Sequence, residues 1–149
     1  MAIKEITPQE AFDVLTKESG SVYIDVRTVE EFLSGHPDGA INIPIAFPDP
    51  GQGMAFNVDF AQVVQTHYPK DKKIIVGCQA GPRSNSAAQV LQETGYQDVS
   101  SVQGGFGGMR DPFGQVIAPG WASLNLPVSQ ENGGGVSYES LAAKLKTKG

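Results

Sequence analysis

The sequence predicts a single α/β domain whose central parallel sheet is covered by helices on both faces. Strand-like and helix-like stretches alternate from Thr7 to Val102. The run Ile74-Ile75-Val76 is apolar on both faces, as strands of a covered parallel sheet are. A chain of 149 residues fits one domain, which buries roughly two-thirds of the surface its unfolded form exposes. No internal repeat is visible.

Thr7-Pro8-Gln9-Glu10 is a capping box with proline at the first helical position, and Ala11, Phe12 and Leu15 make an apolar stripe before Gly20 stops the helix. Val22 to Val26 reads as a strand. A second capping box, Thr28-Val29-Glu30-Glu31, opens a short helix through Phe32 that Gly35 ends. A turn at His36-Pro37-Asp38-Gly39 leads to a small strand, Ala40 to Ile43, bounded by Pro44. Ala46 to Asn57 is expected to be a long loop, because Pro48, Pro50, Gly51 and Gly53 interrupt it, and loops of that length tend to serve function.

Phe60, Val63 and Val64 then mark one face of a helix. After the solvated run Lys70-Asp71-Lys72-Lys73, the strand Ile74–Val76 leads to Cys78. Ala87, Val90 and Leu91 form the buried face of the next helix, which Gly95 caps, and Val99 to Val102 is read as the last strand. The cluster Gly104 to Gly108 makes a tight turn rather than a dinucleotide fingerprint, since no matching strand and acidic partner follow it. Residues 1–128 are assigned to the domain. Residues 129–149 supply a glycine-rich joint and a docked C-terminal helix with Leu141 and Leu145 on one face.

Eleven basic against 16 acidic side chains give a net charge of −5, which disfavours nucleic acid and anionic membrane as partners for the whole surface. One cysteine and two histidines cannot assemble the usual structural zinc sites, and an intramolecular disulfide is impossible. No metal or cofactor is therefore expected. The N-terminus lacks the long apolar core of a secretory signal and no stretch approaches the ~18 apolar residues of a membrane span, so a cytoplasmic, reducing setting is expected.

Cys78 stands where the apolar strand breaks into Gln79-Ala80-Gly81-Pro82-Arg83-Ser84 and then into a helix. A strand-to-helix turn points successive N–H groups and the positive end of a helix at one spot, which favours a thiolate there. Arg83 adds a fixed positive charge. The competing reading is a small buried hydrophobe, the usual state of a free cysteine. Gly77, Gly81 and Pro82 argue against it, because a core strand seldom needs three backbone specialists so close together.

Ile24-Asp25-Val26-Arg27, Glu30-Glu31-Phe32, Gly35-His36 and Gly39-Ala40-Ile41-Asn42-Ile43-Pro44 resemble the single-domain rhodanese family of sulfurtransferases, a rhodanese-like three-layer fold. Cys78-Gln79-Ala80-Gly81-Pro82-Arg83-Ser84 is similar to its active-site loop, and Gly104-Gly105-Phe106 to its later glycine pair. The resemblance spans Thr7 to about Val128. It implies a catalytic Cys78 that takes the outer sulfur of a donor such as thiosulfate, becomes a persulfide, and passes that sulfur to cyanide, a thiol or a protein. It implies substrate binding by Gln79, Ala80, Gly81, Pro82, Arg83 and Ser84, although Pro82 has no N–H to offer. Asp25 and Arg27 are implied as structural support near the loop.

Two other functions are compatible with these residues. Cysteine phosphatases and arsenate reductases on related folds carry five residues between cysteine and arginine, to ring a tetrahedral oxyanion; four lie between Cys78 and Arg83, which suits sulfur. A non-catalytic rhodanese module that only binds partners is the third reading. Gln79 stands where many family members carry a cation, a departure that weakens the case for thiosulfate as the natural donor and leaves a protein persulfide or thiol-bound sulfur open. Met109 replaces a family tryptophan, and Arg110 to Gly120 reads as an insertion in which Phe113 and Trp121 pack. That insertion and the Ala46–Asn57 loop are expected to form the rim that selects donor or partner. His36 is read as a turn residue, His67 as exposed, and Glu30 and Glu31 as capping residues with Arg27 as an alternative partner.

Overall fold

The computed structural model describes residues 3–17, 20–51, 53–79 and 82–148. In chain order the elements are β1 (Lys4–Ile6), α1 (Pro8–Lys17), β2 (Ser21–Asp25), α2 (Val29–Ser34), β3 (His36–Pro37) and β4 (Ile41–Asn42). There follow β5 (Ala46–Asp49), β6 (Gly53–Phe56), α3 (Phe60–His67), β7 (Lys73–Gly77), α4 (Pro82–Thr94) and β8 (Asp98–Val102). The chain closes with β9 (Met109–Arg110), β10 (Val116–Ala118), β11 (Val128–Ser129) and α5 (Tyr138–Lys148).

The central sheet has the order β1-β8-β7-β2-β4, and every neighbouring pair is parallel. Side-chain alternation along the strands feeds two separate cores. Ile24, Ile74 and Val76 pack with Phe60, Val63, Val64, Ala87, Leu91 and Leu141 from α3, α4 and α5. Tyr23, Ile75 and Val102 point the other way, to Ala11 of α1, Phe32 of α2 and Trp121. Helices thus cover both faces, as the alternation predicted. Among the described residues no helix is long and apolar enough to cross a membrane.

Local chemistry explains the helix starts. The Thr28 hydroxyl accepts from Glu31 N at 3.2 Å while Glu31 Oε1 accepts from Thr28 N at 3.1 Å, the reciprocal cap read from the sequence. Thr7 and Glu10 form the same pair before α1. Helix α5 lies against α3: Leu141 is buried, and Asn57 Nδ2 donates to Tyr138 Oη at 3.2 Å. His67 was expected to be exposed; it is partly buried and its Nε2 donates to the Leu141 carbonyl at 3.0 Å, joining the two helices.

The edge strand β1 was not foreseen, because Lys4-Glu5-Ile6 has one apolar residue and only its register with Ser100 to Val102 reveals it. The expected 46–57 loop is instead an antiparallel hairpin, with Ala46 opposite Phe56 and Asp49 opposite Gly53. A two-stranded ribbon tolerates Pro48, which a central strand would not. The 110–120 insertion likewise holds a hairpin, β9 with β10.

Two side chains assigned to that insertion behave differently. Phe113 is 89 % exposed, so its expected packing role is corrected: it sits at a turn tip that no core reaches. Trp121 is 1 % exposed and enters the core on the α1 and α2 side, edge-on to Tyr23 at 5.7 Å and to Phe12 at 6.0 Å, with Nε1 donating to the Pro127 carbonyl. It closes the α1 side of the sheet.

Candidate active site

Strand β7 delivers Cys78 to the carboxyl edge of the sheet, where ligands of open parallel sheets bind. Gly77 precedes it because a Cβ there would overlap the Tyr23 hydroxyl, so the strand ends on the one residue that fits under that ring. Tyr23 is fully buried, and burial pushes its phenol well above the ordinary range, with the Asp25 charge acting in the same direction. Of the expected binding segment, Ala80 and Gly81 lie outside the described residues, and Pro82 begins α4.

The Cys78 side chain is 1 % exposed and borders the core on the α3 and α4 side. Its sulfur lies 3.7 Å from the Ser84 hydroxyl, and Ser84 Oγ is 2.7 Å from Ser101 Oγ of β8. Both serines are buried. The sequence reading named Ser84 but not Ser101, whose only signal was a polar residue at an inward position of β8.

The backbone beyond the sulfur is gripped from the glycine turn after β8. Phe106 N donates to the Cys78 carbonyl at 2.7 Å and Gly107 N to the Gln79 carbonyl at 2.9 Å. Such contact demands bare backbone at Gly105: its φ is +56°, and a Cβ would overlap the Cys78 carbonyl. The Gly104–Gly108 turn is thus a clamp on the cysteine segment.

A buried ion pair supports the segment from the other side. Arg27 Nη2 meets Asp25 Oδ2 at 2.8 Å and donates to the Gly35 carbonyl at 2.6 Å, while Nε reaches Asp25 Oδ1 at 3.0 Å. Nη1 donates to Gln79 Oε1 at 3.1 Å, and the guanidinium lies 4.5 Å from the centre of the Phe106 ring. Five-donor geometry suits arginine to this junction. Asn42, part of the family-like motif but given no role from sequence, donates from Nδ2 to the Asp25 and Arg27 carbonyls at 3.0 and 3.1 Å, holding the end of β2 in place.

Arg83 is expected from the sequence to position an anion. Its guanidinium is closed on Glu31, with Nη1–Oε1 at 2.7 Å and Nη2–Oε2 at 3.0 Å, tying the first turn of α4 to the first turn of α2. Burial raises the Glu31 carboxyl, but hydrogen bonds from Arg83 and Thr28 and the Arg83 charge outweigh it and hold the group at about 2. Glu31 is therefore the partner of Arg83, not of Arg27. His36 is buried, stacked on Phe32 at 3.6 Å with Nδ1 2.8 Å from the Phe32 carbonyl, which fits a structural role in the turn.

A lone cysteine at the end of the middle strand, held by a glycine clamp, a buried Asp–Arg pair and a following helix, defines a cysteine-loop α/β protein. The chain belongs to the rhodanese-like domain family, whose model matches residues 8–111. It is 44% identical over 89 residues to Thiosulfate sulfurtransferase 16, chloroplastic, of Arabidopsis thaliana, a match covering 59% of this chain and 72% of that one. It is 34% identical over 128 residues to Thiosulfate sulfurtransferase GlpE of Haemophilus influenzae, covering 86% of this chain and 96% of that one. Against two further plant relatives the match spans 48% and 55% of the relative's length. Among solved structures, that of Rv0390 from M. tuberculosis is similar with a TM-score of 0.71 and 28% identity, covering 88% of this chain and all of that one. These relatives support membership of a sulfurtransferase family.

Proposed function

We propose that this protein is a sulfurtransferase that carries a sulfane sulfur on Cys78. The observation that carries the reading is the placement of this one cysteine: at the carboxyl edge of the sheet, with its carbonyl fixed by Phe106 and its sulfur against the Ser84 hydroxyl. The Cys78 thiolate attacks the outer sulfur of a donor such as thiosulfate; the donor's S–S bond breaks, sulfite leaves with its electron pair, and Cys78 becomes a persulfide anion. A thiophilic acceptor, cyanide or a thiol, then attacks the terminal sulfur and returns the thiolate.

In this reading residues 79 to 84 form the binding segment, and the amides of Gln79, Ala80, Gly81, Arg83 and Ser84 stabilise the persulfide charge. Asp25 and Arg27 hold that segment through Gln79, and Arg83 holds it through Glu31. A lone nucleophile without a resolving cysteine suits double displacement, because the sulfur leaves on the acceptor. A reducing compartment, the cytoplasm, keeps the thiol available.

The test is a thiocyanate assay with thiosulfate and cyanide. The wild type is expected to turn over and Cys78→Ser to be inactive. Release of phosphate from an aryl phosphate ester without any thiocyanate would overturn the proposal.

A further inference from the structure

We infer that Glu31 is a specificity-determining residue that sets the charge of the sulfur donor: by closing on Arg83 it cancels the cation that borders the reacting sulfur, so that a sulfane sulfur carried on a neutral or singly charged molecule is favoured over a doubly charged donor such as thiosulfate. The inference rests on the sulfurtransferase reading of Cys78.

Among the described residues two cations border the Cys78 segment, Arg27 and Arg83, and each is closed on both oxygens of a carboxylate. Arg27 reaches Asp25 Oδ1 from Nε at 3.0 Å and Oδ2 from Nη2 at 2.8 Å. Arg83 reaches Glu31 Oε1 from Nη1 at 2.7 Å and Oε2 from Nη2 at 3.0 Å. Two-pronged pairs of this kind are geometrically specific as well as charge-assisted, and each sums to zero charge. Gln79, the first residue after the cysteine, adds none.

The other lysines and arginines with described side chains are placed elsewhere. Lys73 opens β7 at the opposite edge of the sheet, 3.8 Å from Asp98, and Lys70 donates to the Thr94 carbonyl. Lys4 begins β1, Lys17 ends α1 and Lys72 lies over the Tyr68 ring. Arg110 donates to the Gly114 carbonyl within its own hairpin.

Glu31 is held in its place. Its Oε1 also accepts from Thr28 N at 3.1 Å and from Thr28 Oγ1 at 3.2 Å, so the cap that starts α2 fixes the carboxylate. Arg83 stands one position before Ser84, whose hydroxyl is 3.7 Å from the Cys78 sulfur. Hydrogen bonding to Glu31 is the largest of the effects that raise the Arg83 pKa, and charge on Cys78 and on Asp25 acts in the same direction, so the guanidinium lies within electrostatic reach of the sulfur. A glutamine would serve the cap as well. What glutamate adds is a negative charge, and each further negative charge on a donor adds an equal increment of repulsion from it.

The experiment reads that charge with two matched pairs of reagents on wild type and Glu31→Gln. Iodoacetate and iodoacetamide alkylate the same Cys78 thiolate and differ by a single negative charge, so their rate ratio cancels any change in thiolate fraction. Thiosulfate and methanethiosulfonate both offer an outer sulfur to that thiolate; the S–S bond breaks, sulfite or methanesulfinate leaves with the electron pair, and the second donor carries one negative charge fewer. Thiocyanate formation with cyanide as acceptor gives kcat/KM for each donor.

In Glu31→Gln the iodoacetate-to-iodoacetamide rate ratio and the thiosulfate-to-methanethiosulfonate ratio of kcat/KM are both expected to rise about threefold, because each pair differs by one charge acting across a solvated site. Both gains are expected to shrink as the ionic strength is raised from about 0.01 M to about 1 M, which shortens the Debye length from about 30 Å to about 3 Å. Arg83→Gln, which leaves the Glu31 charge uncancelled, is expected to move both ratios about threefold the other way, and it decides the matter where Glu31→Gln does not fold.

Ratios that keep the wild-type value, or that fall in Glu31→Gln, overturn the inference, since Glu31 would then shape the segment without setting its charge. A wild type that makes thiocyanate from neither donor fails the sulfurtransferase reading, while the alkylation ratio still reports on Glu31.

Discussion

Arg27 donates from Nη1 to the side-chain oxygen of Gln79 at 3.1 Å, across 52 positions of sequence. Through this bond a buried ion pair at the end of β2 holds the first residue after Cys78. The link needs a neutral acceptor on the loop side. A lysine or arginine at position 79 would face the Arg27 guanidinium and be turned away from it, so Gln79 both anchors the segment and keeps a cation out of this junction.

Arg27→Ala is expected to destabilise the protein by about 3–5 kcal/mol in urea unfolding, because Asp25, 1 % exposed, is left as an uncompensated buried charge. Gln79→Ala, on an exposed residue, is expected to change stability by less than about 1 kcal/mol while slowing persulfide formation. Equal stability losses for the two would contradict the hierarchy in which Asp25–Arg27 is the foundation and Gln79 the arm.

Gly105→Ala forces a side chain into a left-handed backbone and against the Cys78 carbonyl. The strain alone costs about 1–2 kcal/mol, and relief of the overlap must move the Phe106–Cys78 hydrogen bond. Thermal unfolding is expected at a clearly lower temperature, with Cys78 alkylation changed in any fraction that still folds. An unaltered melting temperature would mean that the clamp is not tight.

The Glu31–Arg83 pair predicts an acid-dependent stability. The folded-state value of about 2 lies below the ordinary 4.5, so the pair's contribution is complete above about pH 4.5 and is lost as the pH falls toward 2. About a third of the Glu31 side chain faces water, which discounts the contribution to about 1 kcal/mol. Glu31→Gln keeps the helix cap but removes the charge. The stability gap between wild type and this variant, measured by denaturant unfolding, is expected to shrink as the pH is lowered from 5 to 2. A gap that stays constant would contradict the assignment.

Trp121→Ala is expected to cost about 3–5 kcal/mol and Phe113→Ala to fall within about 0.5 kcal/mol of wild type. The contrast marks what the sequence could not convey. Both aromatics sit in a glycine- and proline-rich stretch without periodicity, so nothing local separates one that reaches Tyr23 and Phe12 from one at a turn tip.

The sheet, by comparison, was legible in strand β7 and the two capping boxes, because period and cap chemistry are local. Strand β1 was hidden, since a three-residue edge strand is defined by its neighbour β8 rather than by its own residues. At the site, Cys78 and the Asp25–Arg27 pair announced themselves by motif. The reach of Arg83 to Glu31, the donation from Asn42 and the Ser84–Ser101 bond are long-range side-chain pairings that no spacing encodes.

Covalent carriage of the sulfur on Cys78, as proposed, is read by intact mass spectrometry after incubation with thiosulfate or a protein persulfide. A gain of about 32 Da on the wild type, removed by cyanide or a thiol and absent from Cys78→Ala, is the result expected of covalent transfer. No mass gain on a folded wild-type protein with either donor, or an equal gain on Cys78→Ala, would contradict it.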